Sequence, residues 1–126
     1  MNRHIKLVIP VLLLLGIASQ TQAANLDMAK AQKQYNKYCA KCHGIKGRGD
    51  GHEGATLKQK PRVFTDCAEM AKKNDDQLFH TVKVGGEPVE GHKSDMPGIG
   101  KSLDDADIHA LVAYVRTFCN STKGMP

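Results

Sequence analysis

The sequence contains no tryptophan, and aromatic side chains make up only 5% of its 126 residues. So few large rings cannot build a broad hydrophobic interior unaided. Long apolar runs are also missing. The longest, residues 7–17, falls short of the roughly 20 residues that cross a bilayer as a helix. No stretch alternates long enough to read as a strand, which excludes a sheet-based fold. There is no internal repeat and no low-complexity segment, and the length suits one domain. No Ser-His-Asp arrangement is present. Asp104, Asp105 and Asp107 cluster where a helix begins, and this placement is not that of a catalytic carboxylate pair.

What is present begins with a leader. Arg3, His4 and Lys6 form a basic start, the apolar run 7–17 follows with one interruption at Pro10, and Thr21-Gln22-Ala23 offers small residues for a peptidase. This is the pattern of a secretory signal peptide, with cleavage near Ala23 leaving a domain of residues 24–126. An uncleaved anchor is the alternative, for which the run is short. Export of this kind points to the periplasm. That compartment is oxidising, so Cys67 and Cys119 can pair there. The loop so closed would be about 52 residues long and would contribute roughly 4 kcal/mol on a chain-entropy model.

Cys39-Ala40-Lys41-Cys42-His43 is the most specific element. C-x-x-C-H reads as a site of covalent c-type haem attachment. Two thiols three positions apart can each form a thioether to one haem vinyl group, and the adjacent imidazole reaches the iron. A structural zinc site built from Cys39, Cys42, Cys67 and Cys119 is the rival, but it gives His43 and the leader no purpose. A thioredoxin-like pair would need a preceding strand. A flat apolar cofactor would also fill the interior that this composition leaves short. The formal charge of +5 falls to +3 when Arg3 and Lys6 leave with the signal, and to about +1 with two haem propionates. That is not a nucleic-acid-binding balance. Lys30, Lys37, Lys41 and Lys46 could steer an acidic partner, although a solvated surface explains them as well.

Three segments read as helices. Over residues 26–41, Met28, Ala31, Tyr35, Tyr38 and Cys42 recur at helical spacing, which places the haem motif at the helix end with Gly44 as the stop. A second helix starts at Asn74, where Asn74 and Gln77 make a capping-box pattern, and ends at Gly85-Gly86. A short turn over residues 66–72 precedes it. The last helix has Ser102 as its N-cap and an apolar stripe of Ile108, Leu111, Val112, Val115 and Phe118, ending near Cys119 and Asn120. Glycine-rich loops connect these segments.

A low-spin electron carrier needs a second axial ligand, and thioether sulfur raises its potential relative to a second histidine. Met96 stands in a polar, glycine-rich loop followed by Pro97, far enough from His43 to meet the opposite haem face. His92, four residues earlier, is the competitor. Met28 belongs to the first helix stripe and Met125 to the tail. Gly49-Asp50-Gly51-His52-Glu53-Gly54 matches a dinucleotide-binding pattern but follows no strand, so it reads as a tight turn beside the haem. Pro61, in Lys60-Pro61-Arg62, could present its carbonyl to the second ring nitrogen of His43, and Arg62 could pair with a propionate. His80 and His109 sit within helices and read as surface or satisfied histidines.

Together these elements resemble a class I cytochrome c of the bacterial, monohaem, periplasmic kind. The resemblance rests on Cys39-Ala40-Lys41-Cys42-His43-Gly44, the glycine-rich loop, residues 60–65, Gly85-Gly86, Met96-Pro97, and Leu111-Val112-Ala113-Tyr114-Val115-Arg116 in the last helix. It implies an all-α fold wrapped around one haem c. In that fold the first and last helices cross near a right angle, through Ala31 and Tyr35 on one and Leu111 and Tyr114 on the other. It implies His43 and Met96 as axial ligands and Cys39 and Cys42 as thioether anchors. The Cys67–Cys119 pair lies outside the family's general pattern. The expected function is single-electron transfer between redox partner proteins, not catalysis. A cytochrome subunit of a periplasmic dehydrogenase or oxidase complex is the alternative. A dihaem peroxidase would need two C-x-x-C-H motifs, and a cytochrome c′ carries its motif near the C-terminus.

Overall fold

Cap and stripe chemistry sets the helices of this chain. A computed structural model describes residues 26–88 and 91–122. The leader over residues 1–23, its cleavage point, and the tail with Met125 lie outside the described residues. Helix α1, Met28–Tyr38, starts where the Asp27 carboxylate accepts from the Lys30 amide at 2.8 Å. It buries Ala31 and Tyr35 completely. The sequence predicts one helix through the haem motif, but the chain breaks step at Cys39, with φ −114°, and resumes as α2, Ala40–His43. The Cys39 carbonyl accepts from both Cys42 and His43, at 3.2 and 2.9 Å, so a tighter turn starts the motif.

A long loop with one 3₁₀ turn at Gly54–Thr56 leads to α3, Cys67–Ala71, capped by Asp66. Helix α4, Asp75–Val84, has the reciprocal box read from the sequence: Asn74 Oδ1 accepts from the Gln77 amide at 2.8 Å, and Gln77 Oε1 accepts from the Asn74 amide at 3.0 Å. Helix α5, Asp105–Thr122, departs from expectation at its start. Its cap is Asp104, whose Oδ1 accepts from the Asp107 amide at 2.8 Å. The amide of Ser102 is used in a preceding turn, with that of Leu103, onto the Ile99 carbonyl.

Helices α1 and α4 both pack on α5. All five stripe residues of α5 are buried, and Leu111, Val112, Val115 and Phe118 meet Tyr35, Phe64, Met70 and Leu78 in one cluster. Tyr35 sits among the rings of Tyr114 and Phe118, with centroids at 5.4 and 5.1 Å. Arg116 ties α5 to the α3–α4 junction, donating to the Met70 and Lys73 carbonyls at 2.8 and 2.6 Å and to Asp75 at 2.9 Å. The described residues contain no strand; one isolated antiparallel bridge joins Gly85 and Pro97. The fold is all-α, and no described helix is long and apolar enough to cross a membrane.

Candidate haem site

The short α2 turn brings Cys39, Cys42 and His43 onto one wall of a cavity of about 770 Å³. Leu57, Leu78, Val82, Ile99, Val112 and Val115 supply apolar lining from four other parts of the chain. Charged groups of both signs stand around it, among them Lys60, Arg62, Lys73, Glu69, Asp76 and Asp95, so no single charge dominates the mouth.

The histidine is held tightly. Its ring is buried, and Nδ1 donates to the Arg62 carbonyl at 3.0 Å. The acceptor is thus one residue beyond the Pro61 carbonyl expected from the sequence, because the chain turns between the two and Pro61 O lies beside Gly49. With Nδ1 committed, Nε2 is left for a metal. Phe64 stacks on the imidazole, with centroids 4.4 Å apart and planes 13° from parallel. Burial lowers the His43 pKa, although the carbonyl bond opposes it, so the ring is neutral and fit to ligate. Burial likewise pushes the Cys39 thiol up to about 12 and, more weakly, raises that of Cys42, which keeps both protonated before attachment.

The glycine-rich loop is packed onto the motif itself. Gly51 donates to the Cys42 carbonyl at 3.2 Å, and Glu53 to that of Lys41 at 2.9 Å. A Cβ on Gly51 would lie 2.4 Å from the Lys41 carbonyl oxygen, which explains why the false dinucleotide pattern carries glycine there. Glu53 also pairs with Lys41 at 3.0 Å, and Lys30 pairs with Asp107 across α1 and α5. Two of the four lysines singled out in the sequence are therefore already partnered.

Met96 lines the same cavity and is half-buried. Its loop is fastened to the end of α4: Gly86 donates to the Met96 carbonyl, Ile99 to Val82 and Gly100 to Lys83, each at 3.0 Å. Gly98 makes that approach possible, since a Cβ there would fall 2.4 Å from the Val84 carbonyl carbon. Ser94 and Asp95 add bonds to Gln59 on the facing loop, at 3.3 and 3.4 Å. His92 is exposed and is not among the residues lining the cavity. His80 stands at the cavity but is exposed, and His109 stacks on Phe79. The zinc alternative is not assembled. Cys67 and Cys119 lie outside the cavity that Cys39 and Cys42 line, and the described residues contain no group of three or more His, Cys, Asp or Glu placed to hold a metal.

Two cysteines and a buried, carbonyl-oriented histidine on one turn, facing an apolar cavity of this size, fit a covalent haem and define a c-type cytochrome. The chain belongs to the family described as cytochrome C oxidase, cbb3-type, subunit III, whose model matches residues 26–115. Among solved structures it is similar to the KustC0563 c-type cytochrome, with 29% identity, a TM-score of 0.54, and coverage of 70% of this chain and 95% of that one. It also shares its fold with a chain of the Kuenenia stuttgartiensis reducing HAO-like protein complex Kustc0457/Kustc0458, at 22% identity and a TM-score of 0.57. That match covers 77% of this chain but only 44% of the other. A comparison with curated proteins finds no match. The protein is a small monohaem cytochrome with covalently bound haem c, and its function is electron transfer. Cys39, Cys42 and His43 are the residues that would hold the haem, whose iron would supply the one-electron chemistry, and the Arg62 carbonyl fixes the orientation of His43.

Proposed function

We propose that this chain is an exported electron carrier. Its leader is removed near Ala23, and its haem iron is held by His43 and Met96. Single electrons pass between donor and acceptor proteins in the periplasm, and the chain itself catalyses no reaction. The observation that carries the reading is that Met96 lines the same cavity as Cys39, Cys42 and His43, on a loop pinned at several points to α4. The exposure of His92 weighs against it as the ligand. In this reading the cavity wall presents a haem edge to partners, and Arg62, exposed at its rim, is available to a propionate.

Met96→Ala tests the assignment. The variant is expected to keep its covalent haem, to lose the weak far-red charge-transfer band that a sulfur ligand gives the oxidised protein, and to bind added imidazole at the vacated position. An unchanged spectrum and potential would rule Met96 out, and His92→Ala would then be the variant to compare.

A second reading is that the chain serves as a cytochrome subunit of a larger periplasmic redox assembly. It is favoured by the similarity to a longer chain from a protein complex, of which the match covers only 44%. Sizing the haem-bearing species in a native periplasmic extract separates the two: a carrier migrates at the mass of this chain alone, a subunit well above it.

A further inference from the structure

Cys67 opens α3 and Cys119 lies in the last turns of α5, so 52 residues separate them in sequence. The fold brings them together in a reciprocal way. Cys67 Sγ lies 3.5 Å from the Cys119 carbonyl, and Cys119 Sγ lies 3.3 Å from the Phe64 carbonyl, three residues before Cys67. Burial, with the Cys67 thiol beside it, pushes the Cys119 thiol up to about 11. Both are half-buried, so a reagent can reach them.

What the pair touches makes it more than a staple. Phe64, whose carbonyl accepts from Cys119, is the ring stacked on His43, and Arg62, two residues earlier, supplies the carbonyl that orients Nδ1. The segment is otherwise tied down by amides of Phe64 and Thr65 on the Gly47 carbonyl, at 2.7 and 3.4 Å. We propose that Cys67 and Cys119 form a disulfide that clamps the 62–67 segment to the end of α5, so that the pair acts as a positioning device for His43. The inference rests on the export reading, since an oxidising compartment supplies the oxidant. One thiolate attacks the disulfide of a protein dithiol oxidant, and the second displaces that oxidant from the mixed disulfide. Two protons and two electrons leave the pair, and the oxidant departs as a dithiol.

A fixed acceptor on Nδ1–H raises the basicity of a ligating histidine, which favours ferric iron. Opening the bridge loosens Arg62 and is expected to raise the midpoint potential. The test uses the holoprotein as isolated from periplasm, denatured with excess iodoacetamide and weighed intact. Cys39 and Cys42 are consumed by the haem, so the expected result is no alkylation without reductant and two groups after it. Two groups without reductant, or one, would overturn the bridge. The same mass reports the leader and the haem, so two alkyl groups on a chain that has lost its leader overturn the bridge alone, whereas a haem-bearing chain missing from the periplasmic fraction overturns the export reading and the bridge with it. The second measurement is the potential of the Cys67→Ser/Cys119→Ser variant and of the reduced, blocked wild type. A rise in both supports the clamp. A lower urea midpoint with an unchanged or lower potential would make the bridge a staple only.

Discussion

Single side chains do much of the positioning around His43. Tyr35 is wholly buried, and its hydroxyl donates to the Gly44 carbonyl at 2.7 Å, immediately after His43. Burial also raises the phenol's pKa, so the hydroxyl stays a donor across any ordinary pH. Removing a buried hydrogen-bond partner costs about 1–3 kcal/mol when the group left behind has no other. Here the Gly44 carbonyl keeps the Gly47 amide at 3.0 Å. Tyr35→Phe should therefore sit at the low end, at about 1 kcal/mol, in urea unfolding of the holoprotein, with haem content unchanged. A loss well above that would mean the hydroxyl also orders the α2 turn. The sequence displayed the chemistry of this site unevenly. Cys39, Cys42 and His43 are legible because thioether attachment demands that spacing in one short stretch. The Arg62 carbonyl, the Phe64 ring and the Tyr35 hydroxyl are not legible, since each depends on how a distant segment turns back. Lys60-Pro61-Arg62 showed the right loop and missed the acceptor by one residue.

At the scale of elements, a helix start depends on which of several capable residues has the right backbone. Ser102, Asp104 and Asp105 can all cap in principle. The turn onto Ile99 consumes the amides of Ser102 and Leu103, so the first open helical amides are those that Asp104 can reach. Asp104→Ala should cost about 1 kcal/mol in thermal or urea unfolding, and Ser102→Ala close to nothing. The reverse ranking would restore the boundary read from the sequence. Helix α4 shows why other boundaries were readable: Asn74 and Gln77 satisfy each other locally, so no tertiary contact competes. The apolar stripe of α5 was readable for the same reason, because its period is intrinsic to the helix. The break at Cys39 was not, since Tyr38 and Ala40 carry no local signal against continuing.

For the whole molecule, the shortage of large rings and the size of the cavity are two sides of one design. A dry void costs about 24 cal/mol per Å³, which for a cavity of 770 Å³ would amount to about 18 kcal/mol. This space opens to water, so the figure is a ceiling. Even a third of it, about 6 kcal/mol, is comparable to the low end of the roughly 5–15 kcal/mol that stabilises a small domain. Leu78, Val112 and Val115 line the cavity and also belong to the core cluster, so the interior cannot close without pulling α4 and α5 out of register. The haem is thus part of the folding unit as well as the redox centre. Cys39→Ser/Cys42→Ser, which cannot attach haem, is expected to keep part of its far-ultraviolet helical signal. The capped α4 and the amphipathic α5 carry their own local order. Its near-ultraviolet signal and methyl dispersion in proton NMR should collapse, and its urea transition should broaden, as in a compact state without fixed packing. A variant that unfolds in one sharp transition with dispersed methyl resonances would show that the chain packs its own interior, and the link between sparse rings and a cofactor-filled core would fail.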